Sequence, residues 1–348
     1  MSLQPALPAG DLSEVVRMAE DDLRLLGGTR LFITGGTGFV GTWLVESLLA
    51  ADRHLGLGIR VTLLTRSPES FRQRCPHVAS DGRVALLEGD ICTFTAPGHH
   101  DLVVHAAAST RQVHTPVERT ALYTSIVDGM ERVIEVASDW NRPRLLFTSS
   151  GAVYGRQPPD LEHVPEEYLG GPDPLDTAMS YHGAKRAAEL RSVLATEAGD
   201  VETVIGRLFA FVGPLLPLDQ HFAIGNFIRD ALDGGPVRVG GDGTPFRSYQ
   251  YAGDLVVWLL ALLARGEAGR AYNVGSDDSL DIASLARQVA AELGDVAVEI
   301  HGTPDPSCPA ERYVPDCTRA RTELGLANAT SLDEAIRRTA FWNRDQRQ

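Results

Sequence analysis

The chain has 348 residues, 43% of them hydrophobic and 22% charged, the balance of an ordinary globular protein with a sizeable core in one large domain or two joined ones. A formal net charge of −14 repels phosphate backbones and anionic lipid heads, and no basic patch in the sequence offsets it, so a small molecule is the expected partner, with no nucleic acid and no membrane. Cys75, Cys92, Cys308 and Cys317 form no C-x-x-C pair and no zinc-ligand spacing with histidine, which predicts free thiols in a reducing cytosol and no metal.

The N-terminal stretch lacks the basic and apolar segments of a secretory signal, and the longest apolar run, LVVWLLALLA at 255–264, is too short to span a bilayer. A cytoplasmic protein is expected. Leu12, Val15, Val16, Met18, Ala19, Leu23 and Leu26 recur at roughly helical spacing and stop at Gly27-Gly28, predicting one extra helix over 11–26. From there, apolar runs at 30–34, 60–65, 84–91, 101–107 and 144–150 alternate with stretches of helical periodicity. Such alternation predicts an α/β fold, a Rossmann-type doubly wound parallel sheet with helices on both faces.

The first run opens onto ITGGTGFVGTWLVESLLA, with Gly35, Gly38 and Gly41 at three-residue spacing before an amphipathic stretch. Glycines let the backbone turn tightly and approach a pyrophosphate seated at a helix N-terminus. Strand before and helix after make dinucleotide binding the working reading of a spacing that is weak alone. Candidate cofactor-binding residues are therefore Gly35, Gly38, Phe39, Val40 and Gly41, with Arg66, Asp90, Ile91 and Ala106 at the ends of the following runs.

The end of the second run decides between cofactors, because an acid there binds a ribose 2′-hydroxyl and an arginine neutralises a 2′-phosphate. It reads LLTRSPES. NAD is the expected cofactor, with NADP open because Arg66 is either a phosphate partner or a solvated surface residue. Asp90 and Ile91 either meet the adenine or cap a strand end.

Residues 156–179, rich in Pro, Gly and acids, read as a loop beside the site. Beyond it, helices are expected at 224–233, 253–265, 281–293 and 331–342. The predicted organisation is an N-terminal helical extension (1–28), a dinucleotide-binding domain (29–205) and a smaller mixed α/β substrate domain (mainly 206–348).

SYHGAKRAAEL sets Tyr181 and Lys185 four apart, on one face of a helix. A free phenol, with a pKa of about 10, is a poor base at neutral pH; a nearby ammonium and an oxidised nicotinamide both favour the phenolate. Tyr181 is then a proton acceptor, the alternative being an exposed amphipathic helix.

Together the three glycines, TSSGAVYG at 148–155, Tyr181 and Lys185 resemble the extended short-chain dehydrogenase/reductase family, from about residue 29 onward. IGNFIRDALDGGPVRVGGDGTPFRSYQYAGDLV and RYVPDCTRARTELGL are similar to nucleotide-sugar epimerases, dehydratases and, above all, UDP-glucuronate decarboxylases. The resemblance implies that Ser150, Tyr181 and Lys185 are catalytic: Tyr181 takes the proton of the sugar C4 hydroxyl, Lys185 holds the ribose, and Ser150 bonds the same oxygen. It also implies a UDP-sugar substrate and a homodimer.

Aligned on the closing V-Y-G, the dehydratases carry an Asp-Glu pair where this chain has Gly151 and Ala152, and neither residue can move a proton for elimination across C5 and C6. The decarboxylases resemble one another in a Ser-Glu pair there, whereas epimerases carry small residues. The turn alone favours an epimerase; the C-terminal half favours a decarboxylase, because loss of carbon dioxide from a β-keto acid is driven by the C4 ketone. A 4-ketoreductase and a non-catalytic dinucleotide sensor are further readings, and the intact Ser150, Tyr181 and Lys185 argue against the sensor.

By the same resemblance Arg247 and Arg312 hold the diphosphate, a role suited to a planar fork of donors, or are surface arginines. Asn226 contacts phosphate or is an N-cap. Arg111 and His114 face a sugar carboxylate or solvent, and His182 is structural. Gly240 stands where relatives place a base-stacking aromatic, which leaves the nucleotide base open.

Overall fold

A computed structural model of the chain describes residues 3–108 and 112–346. Arg111, one of the expected substrate contacts, lies outside the described residues. The chain divides into two compact units, Met1–Gly155 with Gly171–Arg207 and Val256–Tyr272, and Arg156–Gly170 with Leu208–Leu255 and Asn273–Gln348.

Short apolar runs become β1 (Arg30–Thr34), β2 (Arg60–Thr65), β3 (Val84–Glu88), β4 (Leu102–His105), β5 (Arg144–Ser150), β6 (Glu202–Leu208) and β11 (Arg270–Val274). They form one sheet in the order β11-β6-β5-β4-β1-β2-β3, and β3-β2-β1-β4-β5 run parallel. β4 is buried along its whole length and β5 along all but its first residue, as strands covered on both faces must be. The order reverses direction between β1 and β4, the switch point at whose carboxyl ends such sheets bind ligands.

α1 (Ala9–Met18) and α2 (Glu20–Leu25) precede the sheet. The single helix expected over 11–26 is thus two, broken at Ala19. Glu20, Asp21 and Asp22 crowd the first turn of α2, where acids suit a helix N-terminus, and Asp22 Oδ1 accepts from Arg265 Nε at 2.5 Å. The third apolar run ends as a strand at Glu88 rather than 91, because Asp90 Oδ1 takes the Cys92 amide at 3.0 Å and turns the chain.

α3 (Phe39–Leu55) follows β1, α4 (Pro68–Arg74) and α5 (Pro76–Ala79) follow β2, α6 (Pro116–Ser138) joins β4 to β5, and α7 (Ser180–Ala198) leads to β6. Thr115 and Glu118 close a capping box at the start of α6, with Pro116 in its first turn. Ala184, Ala188 and Ala195 on α7 pack into one buried cluster with Phe32, Phe147 and Ile134. Small side chains at this spacing bring α7 close to the other elements of the cluster, which fixes the depth of Lys185.

In the second unit the strands are short: β7 (Phe211–Val212), β8 (Val237–Val239), β9 (Phe246–Ser248), β10 (Gln250–Tyr251), β12 (Ser279–Asp281), β13 (Val298–Ile300) and β14 (Arg312–Tyr313). β9 lies between antiparallel β12 and parallel β14, while β8 pairs with β13 and β7 with β10. α8 (Ala223–Leu232), α10 (Ile282–Glu292), α11 (Thr318–Leu324) and α12 (Leu332–Asp345) complete it; α9 (Ala252–Arg265) is divided between the units at Leu255. Residues 156–170 join this unit, where Gln157 Oε1 accepts the Val314 amide at 2.9 Å and Asn273 Nδ2 donates to the Val164 carbonyl at 2.8 Å. All four cysteines are free thiols. Among the described residues no helix is long and apolar enough to cross a membrane.

Candidate active site

The glycine turn sits at the switch point. Gly35 has φ +72°, and a Cβ there would overlap the backbone of Ala106, at the end of the neighbouring strand β4. A Cβ on Gly41 would overlap the Gly35 backbone. Gly38 is the N-cap of α3, with no side-chain cap and no acid in the first turn, where Phe39, Val40 and Gly41 lie. This bare, positively polarised helix end fits a pyrophosphate. Ala106 donates its amide to Thr34 O at 3.1 Å.

Arg66 is exposed just past the end of β2, and Ser67 caps α4 by accepting the Ser70 amide at 3.3 Å. Asp90 is exposed and its carboxylate is engaged in the local turn. Ile91 faces Gly129 on α6, where a Cβ would meet its side chain at 2.9 Å.

Ser150 ends β5 and caps a single 3-10 turn, Gly151–Tyr154, by accepting the Ala152 amide at 3.2 Å. The same hydroxyl bonds the Tyr181 phenol. Burial pushes that phenol above its ordinary value, and the Ser150 bond pulls it back. Gly151 and Ala152 are buried and contribute only backbone to the turn.

Lys185, one turn after Tyr181, is buried to 2% exposure. Its Nζ donates to the Thr148 carbonyl at 2.7 Å and stands 4.7 Å from the centre of the Phe147 ring. Desolvation pushes the ammonium down to about 7, with Glu189 opposing. The spacing of Tyr181 and Lys185 therefore puts both on one face as expected, but the ammonium reaches inward to β5 and is not among the groups that shift the phenol. His105 is pushed down to about 3 by burial and by Lys185. It is neutral, and its Nδ1 lies 2.7 Å from Thr34 Oγ1.

Beneath the turn, Glu189 accepts from Ser149 Oγ at 2.5 Å and from Arg207 Nη2 at 2.7 Å. Arg207 Nη1 donates to the Tyr154 hydroxyl at 2.9 Å. A buried carboxylate and guanidinium thus anchor both ends of SSGAVY. Sequence reasoning missed this buttress; the signal was Glu189 itself, one turn beyond Lys185 on the face that turns inward.

In the second unit Asn226 lies inside the first turn of α8, whose N-cap is Phe222, so it is not an N-cap. Its Nδ2 donates to the Gln220 carbonyl at 2.8 Å and its Oδ1 accepts from Arg229 at 3.0 Å. Arg247 and Arg312 fall on adjacent strands, but the register pairs Arg312 with Phe246. Arg312 lies over the Phe246 ring at 4.3 Å, whereas Arg247 donates to the Phe246 carbonyl at 2.7 Å. Gly240 has open space where a Cβ would stand. His114, in the first unit, is exposed, and its amide donates to Glu118. His182 packs edge-on against the Tyr181 ring.

A family model described as the NAD dependent epimerase/dehydratase family matches residues 31–275. The chain belongs to this family. It is a group of extended short-chain dehydrogenases/reductases that includes nucleotide-sugar epimerases, dehydratases and decarboxylases. UDP-glucuronic acid decarboxylase 1 of Arabidopsis thaliana is 29% identical over 310 residues, 89% of this chain and 68% of that protein. A dTDP-glucose 4,6-dehydratase of Streptomyces venezuelae, solved with NAD bound, superposes with a TM-score of 0.76 at 24% identity over 91% of this chain and 98% of that one. A UDP-glucose 4-epimerase of Thermotoga maritima, solved with UDP-glucose, gives 0.75 at 20% over 92% and 100%.

The parallel sheet with its reversal at β1 and β4 is the fold of these epimerase/dehydratase enzymes. Three activities share it, so membership fixes the scaffold and not the reaction.

Proposed function

We propose that the chain oxidises C4 of UDP-glucuronate and lets the resulting 4-keto acid decarboxylate, yielding UDP-4-keto-xylose or, after reduction, UDP-xylose. The observation that carries the oxidation at C4 is the Ser150–Tyr181 hydrogen bond, and the turn beside it, Gly151-Ala152, holds no acid or base for elimination. Tyr181 accepts the C4 hydroxyl proton while Ser150 steadies the same oxygen. A nicotinamide dinucleotide, when bound, takes up the C4 hydride and can return it.

Gly35, Gly38, Phe39, Val40 and Gly41 would hold the pyrophosphate, with Asp90, Ile91 and Ala106 along the same edge, and Lys185 the nicotinamide ribose. NAD is the expected dinucleotide; exposed Arg66, followed by Ser67 at the end of β2, supports NADP as well. Arg247, Arg312 and Asn226 would bind the diphosphate and Arg111 the sugar.

Once C4 is a ketone, the carboxylate at C5 is β to it. The C5–C6 bond breaks, carbon dioxide leaves, and the electron pair passes into the enolate at C4, which a proton at C5 then quenches. This step needs no side-chain base, unlike elimination, so Gly151 and Ala152 are compatible with it. The similarity to UDP-glucuronic acid decarboxylases over 89% of the chain supports the same choice.

One observation favours a 4-epimerase of UDP-sugars: the turn carries two small residues, Gly151 and Ala152, as the resemblance places them in epimerases. Incubation with UDP-glucuronate and identification of the product sugar by NMR separates the two. A pentose supports decarboxylation, UDP-galacturonate supports epimerisation, and unchanged substrate removes UDP-glucuronate from both readings.

A further inference from the structure

Outside the catalytic turn, three metal-ligating side chains of different chemistry converge. Glu46 lies on α3, and Cys75 and His77 flank Pro76 at the junction of α4 and α5. Glu46 is 4% and Cys75 0% exposed, while the His77 side chain is 31% exposed. One ligand atom from each lies within 4.8 Å of the other two.

The three groups stand close enough to share one tetrahedral ion after a turn of the His77 ring. With metal–sulfur bonds of about 2.3 Å and metal–nitrogen and metal–oxygen bonds of about 2.0 Å, tetrahedral angles put S and N about 3.5 Å apart and N and O about 3.3 Å apart. Cys75 Sγ is 3.6 Å from His77 Nε2 and 3.8 Å from Nδ1, so it stands over the ring, and His77 Nε2 and Glu46 Oε1 are 3.0 Å apart; a turn of this partly exposed imidazole aims Nε2 at an ion between the three. Glu46 Oε2 is held by the Leu7 amide at 2.9 Å, which leaves Oε1 directed at His77.

We propose that Glu46, Cys75 and His77 form a site for a borderline-soft divalent transition ion of the zinc type, with water as the fourth ligand on the exposed His77 side. A thiolate, an imidazole and one carboxylate exclude magnesium and calcium, which take oxygen ligands. On uptake, Cys75 releases its thiol proton to solvent, His77 presents Nε2 as a lone pair with its proton on Nδ1, and Glu46 exchanges its hydrogen bond for a metal–oxygen bond.

The site would staple the N-terminal arm. Gln4 donates its amide to the Arg74 carbonyl at 2.7 Å, and Arg74 donates to the Thr37 carbonyl of the glycine turn at 2.9 Å. An ion at Cys75 therefore joins the arm, α3 and the turn after β2. Its ligands are not legible as a motif because Glu46 lies far from Cys75 and His77 in sequence.

The test uses the full chain, stripped with chelator, kept reduced and titrated anaerobically with cobalt(II) chloride. One equivalent should bind with a thiolate-to-cobalt charge-transfer band and the visible bands of four-coordinate cobalt, and zinc should displace it. Cys75→Ser should lose the charge-transfer band, and His77→Ala, at a partly exposed position, should fold and bind at least about tenfold more weakly. Absence of saturable uptake, or a band unchanged in His77→Ala, would overturn the proposal.

Discussion

Lys185 Nζ donates to the Thr148 carbonyl at 2.7 Å from a position with 2% exposure. The bond sets the lysine beneath the strand that carries Ser150 and leaves its charge in a low dielectric. One residue on along β5, Ser149 is held by Glu189, so both sides of the strand end are fixed from α7.

This burial makes stability depend on pH. Between about 7 and its ordinary 10.5, Lys185 is deprotonated in the folded chain and protonated in the unfolded one. The unfolded state binds more protons across that window, so stability rises with pH through it and the burden of the charge is fullest below 7. Lys185→Met removes the titration. In thermal melts without added dinucleotide, wild type should gain on Lys185→Met from pH 7 to 10, by at most about 1.4 kcal/mol per pH unit; a constant difference would refute the burial of a charged lysine.

Tyr181→Phe deletes the phenol oxygen and leaves the ring packed among its neighbours. Turnover should fall by about 10² to 10⁴, with melting temperature and dinucleotide affinity unchanged. Turnover within about twofold of wild type would remove Tyr181 from the chemistry.

Gly41→Ala drives a Cβ into the Gly35 backbone. Calorimetric titration should show dinucleotide affinity lowered at least about tenfold, a loss of about 1.4 kcal/mol or more. Gly240→Ala, at a position with open space, is the control that should leave affinity unaltered.

Arg66→Ala separates the two roles open to an exposed arginine after β2. If Arg66 meets a 2′-phosphate, NADP affinity should fall about tenfold or more, as for a lost charge-assisted hydrogen bond, and NAD affinity should hold. Equal affinities before and after would assign Arg66 to solvent.

Much of the sheet was legible because buried parallel strands are written as short apolar runs: 30–34, 60–65 and 144–150 coincide with β1, β2 and β5. Boundaries set by a single polar contact were not. Asp90 ended the third run early, and Asp22, tied to Arg265 far along the chain, accompanies the helix break at Ala19.

The site divides the same way. Glycine spacing, Ser150 and the Tyr181–Lys185 interval could be read directly, since each depends on local geometry. The inward turn of Lys185, the Glu189–Arg207–Tyr154 buttress and the separate engagements of Arg247 and Arg312 depend on packing between distant segments, and residue spacing carries no depth. Strands of two or three residues, such as β8 and β14, are too short for a period of two to declare itself.

The measurement that tests the central claim most directly follows the C6 carbon. UDP-glucuronate labelled with carbon-13 at C6 is incubated with the protein and NAD, and labelled carbon dioxide is counted against substrate consumed. The account predicts one labelled carbon dioxide per sugar consumed, abolished by Tyr181→Phe. Consumption of substrate with the label retained in a UDP-hexuronate would contradict it.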